Sequence, residues 1–154
     1  MGESTPRIRV IVFGSGEQGD LVTDLGCEWT SDGTALLTAR SLVVLAARAS
    51  GVQPMDAVFM DFRNSGALRT ECQLARRTGY TGKIAIHPAQ LPIIHEVFTP
   101  TAEEVARERK IIELFDQAVA SGSASISVGG RMVDYAVAAR ARSIIARAEA
   151  VQGR

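Results

Sequence analysis

Three short β-branched runs, each followed by a helix-forming segment, constrain the fold of this chain more than any other feature. We predict strands over Arg7–Phe13, Ala57–Met60 and Lys83–Ile86. Gly14 ends the first run, and Pro88 forces the third to end nearby because proline lacks an amide donor. Strand and helix alternate at short intervals, which is typical of parallel βαβ units. The sequence therefore predicts an α/β fold.

The segments between these runs show helical periodicity and local helix-end signals. Leu36–Ser50 is apolar almost all round, a pattern typical of a helix buried between two layers. Ser65–Thr78 is amphipathic, with Asn64 or Ser65 as its N-cap. Ala89–Val97 is predicted as a short helix after the third strand.

The rest of the chain predicts two helices without an accompanying parallel strand. Thr101 and Glu104 form a capping box at the start of a helix that runs to about Ala120. Ser121–Gly130 is predicted as a flexible or hairpin-like link, and the last helix starts near Asp134.

Two regions follow from this order of elements: βα units over residues 1–98 and a helical extension over residues 99–154. Three parallel strands are few, because a parallel sheet needs both faces covered and its edges need partners. The sequence thus predicts part of a larger fold, and an isolated chain that exposes its first strand and associates.

Composition excludes several classes of function. The chain has 154 residues, 46% of them hydrophobic and 22% charged, which is typical of a globular domain. Lys plus Arg and Asp plus Glu number 17 each, so no general attraction to nucleic acid or to an acidic membrane is expected. The two cysteines show neither disulfide nor metal-site spacing. With no signal peptide or long apolar span, we expect a cytoplasmic protein.

Candidate functional residues cluster after the predicted strands, where α/β folds bind ligands. The three clusters are Glu17 with Asp20, Asp61 with Arg63, and His87 with Gln90.

Several of these residues have both a structural and a functional interpretation. Asp20 is either a helix N-cap or an oxygen ligand for Mg²⁺. Asp134 is likewise either a cap for the last helix or a carboxylate on a mobile arm. Asp61 suggests a structural or substrate-orienting role, and His87 either a hydrogen-bonded strand-end residue or a catalytic base.

Longer stretches resemble a known family. These are VFMDFRNSGALRTECQLARRTGYTGKIAIHPAQ, VFTPTAEEVARERKII and GGRMVD, which together resemble the citrate lyase beta-subunit and malyl-CoA lyase family of CoA-ester lyases, in the HpcH/HpaI aldolase superfamily. The resemblance implies the C-terminal part of a (β/α)8 TIM barrel, about three βα units, followed by a helical lid. It also implies a homo-oligomer, a trimer or hexamer, or else a complementary N-terminal chain.

The same resemblance implies an aldolase-type carbon–carbon lyase that requires Mg²⁺, with Mn²⁺ as a second candidate metal. Its substrates would be 3-hydroxyacyl-CoA thioesters such as malyl-CoA, citramalyl-CoA or citryl-CoA. Asp20 would be a metal ligand, with Glu17 as the alternative because Gly14–Asp20 is longer than the family's segment. Asp134 would be the catalytic acid–base residue.

By the same resemblance, Asp61, His87 and Gln90 would line the substrate or CoA site. The family's other metal-binding Glu and its substrate-polarising Arg belong to the first half of the barrel, to which no segment here corresponds. A catalytically inactive CoA-binding or oligomerisation module is therefore an alternative. The residues alone also leave open a small flavodoxin-like binding domain.

Overall fold

The computed structural model describes residues 7–153, which divide into two compact units that meet in the sequence at Phe98 and Thr99. Each unit has its own apolar core. The units are described separately below.

The first unit is built on a three-stranded parallel sheet in the order β1-β2-β3. The strands are β1 (Val10–Val12), β2 (Gln53–Asp56) and β3 (Gly82–Lys83). Val12 is in register with Met55, and Met55 with Gly82. The predicted α/β class and parallel order are confirmed.

Helices and turns connect the strands. They are α1 (Asp20–Leu25), a 3₁₀ turn (Thr34–Leu36), α2 (Leu37–Ala49), α3 (Ser65–Thr78), a second 3₁₀ turn (Pro88–Gln90) and α4 (Leu91–Phe98). The predicted bounds of α3 are confirmed, and Asn64 is its N-cap: Oδ1 accepts a hydrogen bond from the Ala67 amide at 3.0 Å. Gly79 ends α3 at φ +104°, a conformation that favours glycine.

The core of this unit lies between the sheet and its helices. Phe13 from the end of β1, Leu36 before α2, Leu68 of α3 and Tyr80 are all buried there. Burial of apolar surface on this scale is the main source of stability in such a layer. In α2, Leu42 and Leu45 remain exposed, so this helix is covered on one side only and is not buried between two layers as its apolar pattern predicts.

The predicted strand positions are partly wrong. The second strand is Gln53–Asp56 rather than Ala57–Met60, and the first and third are shorter than predicted. Proline normally argues against a central strand, yet Pro54 lies inside β2. The Pro54 carbonyl accepts a hydrogen bond from the Thr81 amide at 3.0 Å. The Pro54 nitrogen, which has no hydrogen to donate, lies beside the chain before β3 begins, so the proline removes no hydrogen bond between the strands.

Consequently several residues of the chain separate the predicted site residues from the ends of the strands. Residues 57–60 separate Asp61 from β2, and residues 84–86 separate His87 from β3.

The second unit contains two helices and a hairpin. These are α5 (Ala102–Ala120), β4 (Ile126–Val128), β5 (Arg131–Val133) and α6 (Tyr135–Gln152). The capping box is confirmed: the Glu104 amide donates to Thr101 Oγ1 at 3.1 Å, and the Thr101 amide to Glu104 Oε2 at 2.9 Å. Gly129 and Gly130 both have positive φ, as a two-residue hairpin turn requires.

Phe115, Val133 and Ala138 form the buried centre of the second unit. The Tyr135 ring meets the edge of Phe115 at 5.1 Å between centroids. Along residues 7–153, none of the helices is both long and apolar enough to cross a membrane.

Candidate functional site

The loops that follow β2 and β3 are joined by the side chain of Gln90, which is 1% exposed. Its Oε1 accepts hydrogen bonds from the amides of Ile86 at 2.9 Å and His87 at 3.3 Å. Its Nε2 donates to the Phe59 carbonyl at 2.8 Å. Gln90 therefore fixes the two strand-end loops relative to each other, and its polar atoms are engaged with the backbone.

His87 lies on the surface of this joined pair of loops. It is the N-cap of the 3₁₀ turn, and its Nδ1 accepts a hydrogen bond from the Ala89 amide at 3.1 Å. A neutral imidazole whose Nδ1 accepts carries its proton on Nε2, so this nitrogen is available as a donor. The prediction that His87 is hydrogen-bonded is confirmed, but residues 84–86 separate it from β3, so it does not lie at the tip of the strand.

An aromatic and cationic stack extends from His87. The Phe62 ring stacks on the imidazole with 4.4 Å between centroids and 20° between planes. The Arg63 guanidinium carbon lies 5.2 Å from the centre of the Phe62 ring, within the range of a cation–π contact. We call His87, Phe62 and Arg63 the strand-end platform; all three are exposed.

Asp61 begins the turn that carries the platform. Its Oδ1 accepts a hydrogen bond from the Arg63 amide at 3.3 Å, and the residue is exposed. This contact shapes the loop and does not use the second carboxylate oxygen.

Asp20 follows β1 but does not cap its helix. Gly19 is the N-cap of α1, and Asp20 is the first helical residue, exposed and in the first turn. The tight turn before α1 requires glycine at position 19, because a Cβ there would lie 2.7 Å from the Gly16 nitrogen. The interpretation of Asp20 as an N-cap is therefore wrong, and its carboxylate is free to take another role.

The part of the chain that the structure describes does not complete a metal site. Over residues 7–153, no three His, Cys, Asp or Glu side chains are grouped so that they could hold an ion. Magnesium needs oxygen ligands and commonly takes one or two protein carboxylates. Asp20, an exposed carboxylate, fits one such ligand.

Asp134 lies in the second unit, between β5 and α6. Its Oδ1 accepts hydrogen bonds from the Ala136 and Val137 amides, both at 3.0 Å. The predicted cap is confirmed. Because both bonds end on Oδ1, Oδ2 is not used by the cap.

Sequence reasoning missed a buried ion cluster that consists of Arg40, Asp56, Glu71 and Lys83. Arg40 donates to Asp56 from Nε at 3.1 Å and from Nη2 at 2.7 Å, and Lys83 Nζ donates to Asp56 at 2.8 Å. Glu71 accepts from both cations. The two positive and two negative side chains thus neutralise one another, and the cluster lies between the sheet and helices α2 and α3.

Aromatic rings and buried neutral groups surround the ion cluster. The Arg40 guanidinium lies 5.7 Å from the Phe13 ring centre and 5.9 Å from that of Trp29. Burial raises the pKa of the Cys72 thiol to about 11, so this cysteine is a packing residue and not a nucleophile at neutral pH. A signal in the sequence was Arg40, a charged residue near the start of a helix in which most residues are apolar.

The comparisons with known proteins agree with this arrangement. Residues 2–88, which contain all three strands and the loops after β1 and β2, match the model of the HpcH/HpaI aldolase/citrate lyase family. The chain belongs to the HpcH/HpaI aldolase/citrate lyase family. The resemblance that the sequence motifs indicated is confirmed.

Known members of the HpcH/HpaI family match most of this chain. It is 36% identical over 130 residues to citrate lyase subunit beta of Escherichia coli (strain K12), covering 84% of this chain and 43% of that relative. It is 37% identical over 146 residues to a (3S)-malyl-CoA thioesterase of Cereibacter sphaeroides, covering 95% of this chain and 50% of that relative. The chain therefore spans about half the length of the relatives it matches.

A solved structure supports the fold. The protein CitE of Mycobacterium tuberculosis, crystallised with magnesium, acetoacetate and coenzyme A, matches with a TM-score of 0.68 and 28% sequence identity. The match covers 83% of this chain and 48% of that one.

Proposed function

We propose that this chain is part of an aldolase-type lyase that cleaves or forms a carbon–carbon bond in 3-hydroxyacyl-CoA thioesters, with malyl-CoA, citramalyl-CoA and citryl-CoA as candidate substrates. Its three βα units would form the closing part of a (β/α)8 barrel, and residues 99–154 a helical lid. The observation that carries this proposal is the family match over residues 2–88, which includes all three strands.

In the cleavage direction, the C3 hydroxyl of the substrate loses its proton as the C2–C3 bond breaks. The products are a carbonyl compound and a thioester enolate, which takes up a proton at C2. The enolate is the high-energy species, so oriented charge around it would supply most of the rate.

Asp134 is proposed as the group that exchanges the proton at C2. Its Oδ1 is held by two amides at the start of α6, which fixes the carboxylate, and Oδ2 would carry the proton. Gly129 and Gly130 form the turn of the hairpin that precedes Asp134, and glycine at both positions would permit movement of the arm.

The strand-end platform is proposed to contact the substrate or its CoA portion. Nε2 of His87 would donate a hydrogen bond, and Asp61 would orient the ligand at the same loop. The predicted role of Gln90 at this site is proposed as an indirect one, because its amide already holds Ile86, His87 and Phe59.

Asp20 is proposed as one oxygen ligand of Mg²⁺, with Mn²⁺ as the second candidate. When bound, the metal would stabilise negative charge on the keto-acid oxygens. The relatives are about twice as long, and a complementary half or a neighbouring copy in a trimer or hexamer would supply the missing groups.

The test is a cleavage assay with malyl-CoA and Mg²⁺, on the chain alone and on the chain mixed with a complementary half. We expect turnover only in the mixture, and its loss on addition of EDTA. Ordinary enzyme rates from the chain alone would show that no missing groups are needed.

Variants separate the proposed roles of the carboxylates. Asp134→Asn keeps the cap, since an amide oxygen also accepts, and should abolish turnover while the fold is unchanged. Asp116→Asn, an exposed position on α5, is the control. An inactive CoA-binding module predicts CoA binding by calorimetry with no turnover in any assembly.

A further inference from the structure

Exposed apolar side chains flank Asp134 in the second unit. Within the described part of this unit, the exposed large apolar side chains are Met132, Tyr135 and Val151. Met132 is 72% exposed and Tyr135 is 59% exposed, and the two lie on either side of Asp134 in the sequence. Single exposed apolar residues are common on protein surfaces, whereas these two border a proposed proton-exchanging group. We call Met132 and Tyr135 the apolar rim.

The hairpin of β4 and β5 places Met132 on its outer face. Val133 is 2% exposed and packs with Phe115, and Ile126, which is in register with Val133, packs against the same cluster. Because side chains alternate along a strand, Met132 projects from the opposite face. Ser127, which is in register with Met132, is exposed as well. The outer face of this strand pair is therefore open.

Asp134 continues the alternation of β5. Its backbone is extended, with φ −123° and ψ −171°, so its side chain leaves the chain on the same side as that of Met132. Two residues of extended chain span about 6.6 Å, and methionine is long and flexible enough to pack across such a gap. The Met132 side chain and the Asp134 carboxylate therefore project side by side.

Tyr135 forms the other side of the apolar rim and is tied to the core. Its ring meets that of Phe115 edge-on, with 5.1 Å between centroids and 87° between planes. Phe115 is 1% exposed, so this contact holds the exposed ring against a buried one. An aromatic pair in this geometry is more favourable than the area it buries would suggest. One side of the rim is thus a fixed ring and the other a flexible thioether.

A carbon that exchanges a proton with Asp134 must approach its carboxylate closely. Reacting atoms lie about 3–3.5 Å apart in a productive complex, so C2 of the thioester would also lie within reach of the apolar rim. The malyl, citramalyl and citryl thioesters all carry an unbranched CH2 group at C2. An apolar contact of this kind excludes water from C2 and leaves little room for a branch on it.

We propose that Met132 and Tyr135 contact C2 of the bound thioester, and that Met132 determines whether C2 can carry a methyl branch. This inference rests on the proposed function and assigns a specificity-determining residue to the same site. The Met132 side chain fills the space that the methyl group of a propionyl-derived thioester would need, so acetyl-derived thioesters are preferred. One methyl group in an apolar pocket changes kcat/KM about tenfold or more.

The first experiment measures the condensation of glyoxylate, the carbonyl product of malyl-CoA, with acetyl-CoA and with propionyl-CoA in each preparation used for the cleavage assay. Met132→Ala should raise the ratio of kcat/KM for propionyl-CoA to that for acetyl-CoA about tenfold, because the shorter side chain leaves room for the methyl group. Met132→Leu has nearly the same volume and should keep the wild-type ratio. Val151→Ala truncates an exposed apolar residue at the far end of α6 and is the matched control.

The second experiment detects the contact without turnover. The chain contains four methionines, and in an NMR spectrum of labelled methionine methyl groups the Met132 signal is the one that Met132→Leu removes. Acetyl-CoA should shift this signal at a lower concentration than propionyl-CoA does, and CoA without an acyl group should leave it in place. Urea denaturation of each variant checks that the fold is retained.

Three outcomes overturn the inference: an unchanged ratio in Met132→Ala when the wild type turns over, an equal change of the ratio in Val151→Ala, or a Met132 signal that responds equally to acetyl-CoA, propionyl-CoA and CoA. A Met132 signal that shifts as expected, with no turnover in any preparation, leaves the inference standing and contradicts the proposed function. Turnover with an unshifted Met132 signal contradicts the inference and leaves the reaction standing. Neither turnover nor a shift contradicts both.

Discussion

The first unit contains two groups of side chains that differ in burial and in how their polar atoms are used. The buried ion cluster, which consists of Arg40, Asp56, Glu71 and Lys83, lies between the sheet and its helices, and its charges bond to one another. The strand-end platform lies on exposed loops, where His87 retains a donor directed away from its own backbone bond. Buried charges that bond to one another hold elements together, whereas an exposed side chain with an unused donor is suited to bind a ligand.

The distinction matters because residue type alone would mislead. A cluster of Lys, Arg, Asp and Glu resembles a catalytic site, but solvent and substrate cannot reach one that is almost fully buried. Replacing one member of a buried cluster leaves an uncompensated charge, while replacing an exposed residue rarely alters folding. Two experiments test this contrast directly and two extend it to polar contacts outside the two groups, and all four are given in order of expected effect.

The largest effect is expected for Lys83→Met. Removing this cation leaves Asp56 and Glu71 with one guanidinium between two buried carboxylates, and such losses cost about 3–5 kcal/mol in the free energy of unfolding. Urea denaturation measures it. Lys110→Met removes an exposed lysine that pairs with Glu113 and should change stability by less than about 0.5 kcal/mol. Equal urea midpoints for the two variants would show that the buried charges are compensated elsewhere.

Gln90→Met should have the next largest effect. The variant leaves the Ile86 and His87 amides and the Phe59 carbonyl without a side-chain partner, at a cost of about 1–3 kcal/mol. Nitrogen chemical shifts of the His87 ring should also change as the loops separate. Gln73→Met, exposed on α3, is the control. An unperturbed His87 ring would mean that the platform does not depend on Gln90.

A smaller effect is expected for Asp134→Ala in the second unit. Loss of the bonds to Ala136 and Val137 should destabilise the unit that contains α6 by about 1 kcal/mol, measured by thermal unfolding. Asp134→Asn should lose much less. If both variants lose turnover but only Asp134→Ala loses stability, then capping the helix and transferring the proton are separate roles of the same carboxylate.

The smallest effect concerns an exposed ion pair. A hydrogen bond from Arg69, at 2.7 Å between Nη2 and Oε2, lowers the pKa of Glu96 below its ordinary value of 4.5. A lowered carboxyl pKa in the folded state stabilises the protein above the unfolded-state pKa, and the contribution is lost as the pH falls through the folded-state pKa. The stability difference between wild type and Arg69→Met should therefore shrink as the pH falls from 7 to 3. A stability difference that grows as the pH falls would contradict a stabilising role for this ion pair.

Local signals predicted helices far better than strands. Asn64 and the Thr101–Glu104 box fixed two helix starts, because each cap is formed by residues within one turn. The second strand was misplaced because the apolar run Ala57–Met60 has the composition of a strand, whereas Gln53–Asp56 is defined by its pairing with β1 and β3. Strand ends depend on a neighbouring strand that is distant in sequence.

The candidate site was predicted in the same uneven way. His87 and Asp134 were recognised because a residue before proline and a carboxylate before a helix are local features. The stack of Phe62 on His87, and the hold of Gln90 on Phe59, join loops that no short window contains.

By itself, the sequence determined the α/β class, the parallel order, the helix starts and membership of the HpcH/HpaI family, because periodicity, caps and motifs are written in neighbouring residues. Only the tertiary structure decided which charged residues are buried, which strand face is open and which loop residues touch. Those outcomes depend on pairings such as Arg40 with Asp56 and Lys83 with Glu71, and the energy of each pairing exists only once helix and sheet have packed together.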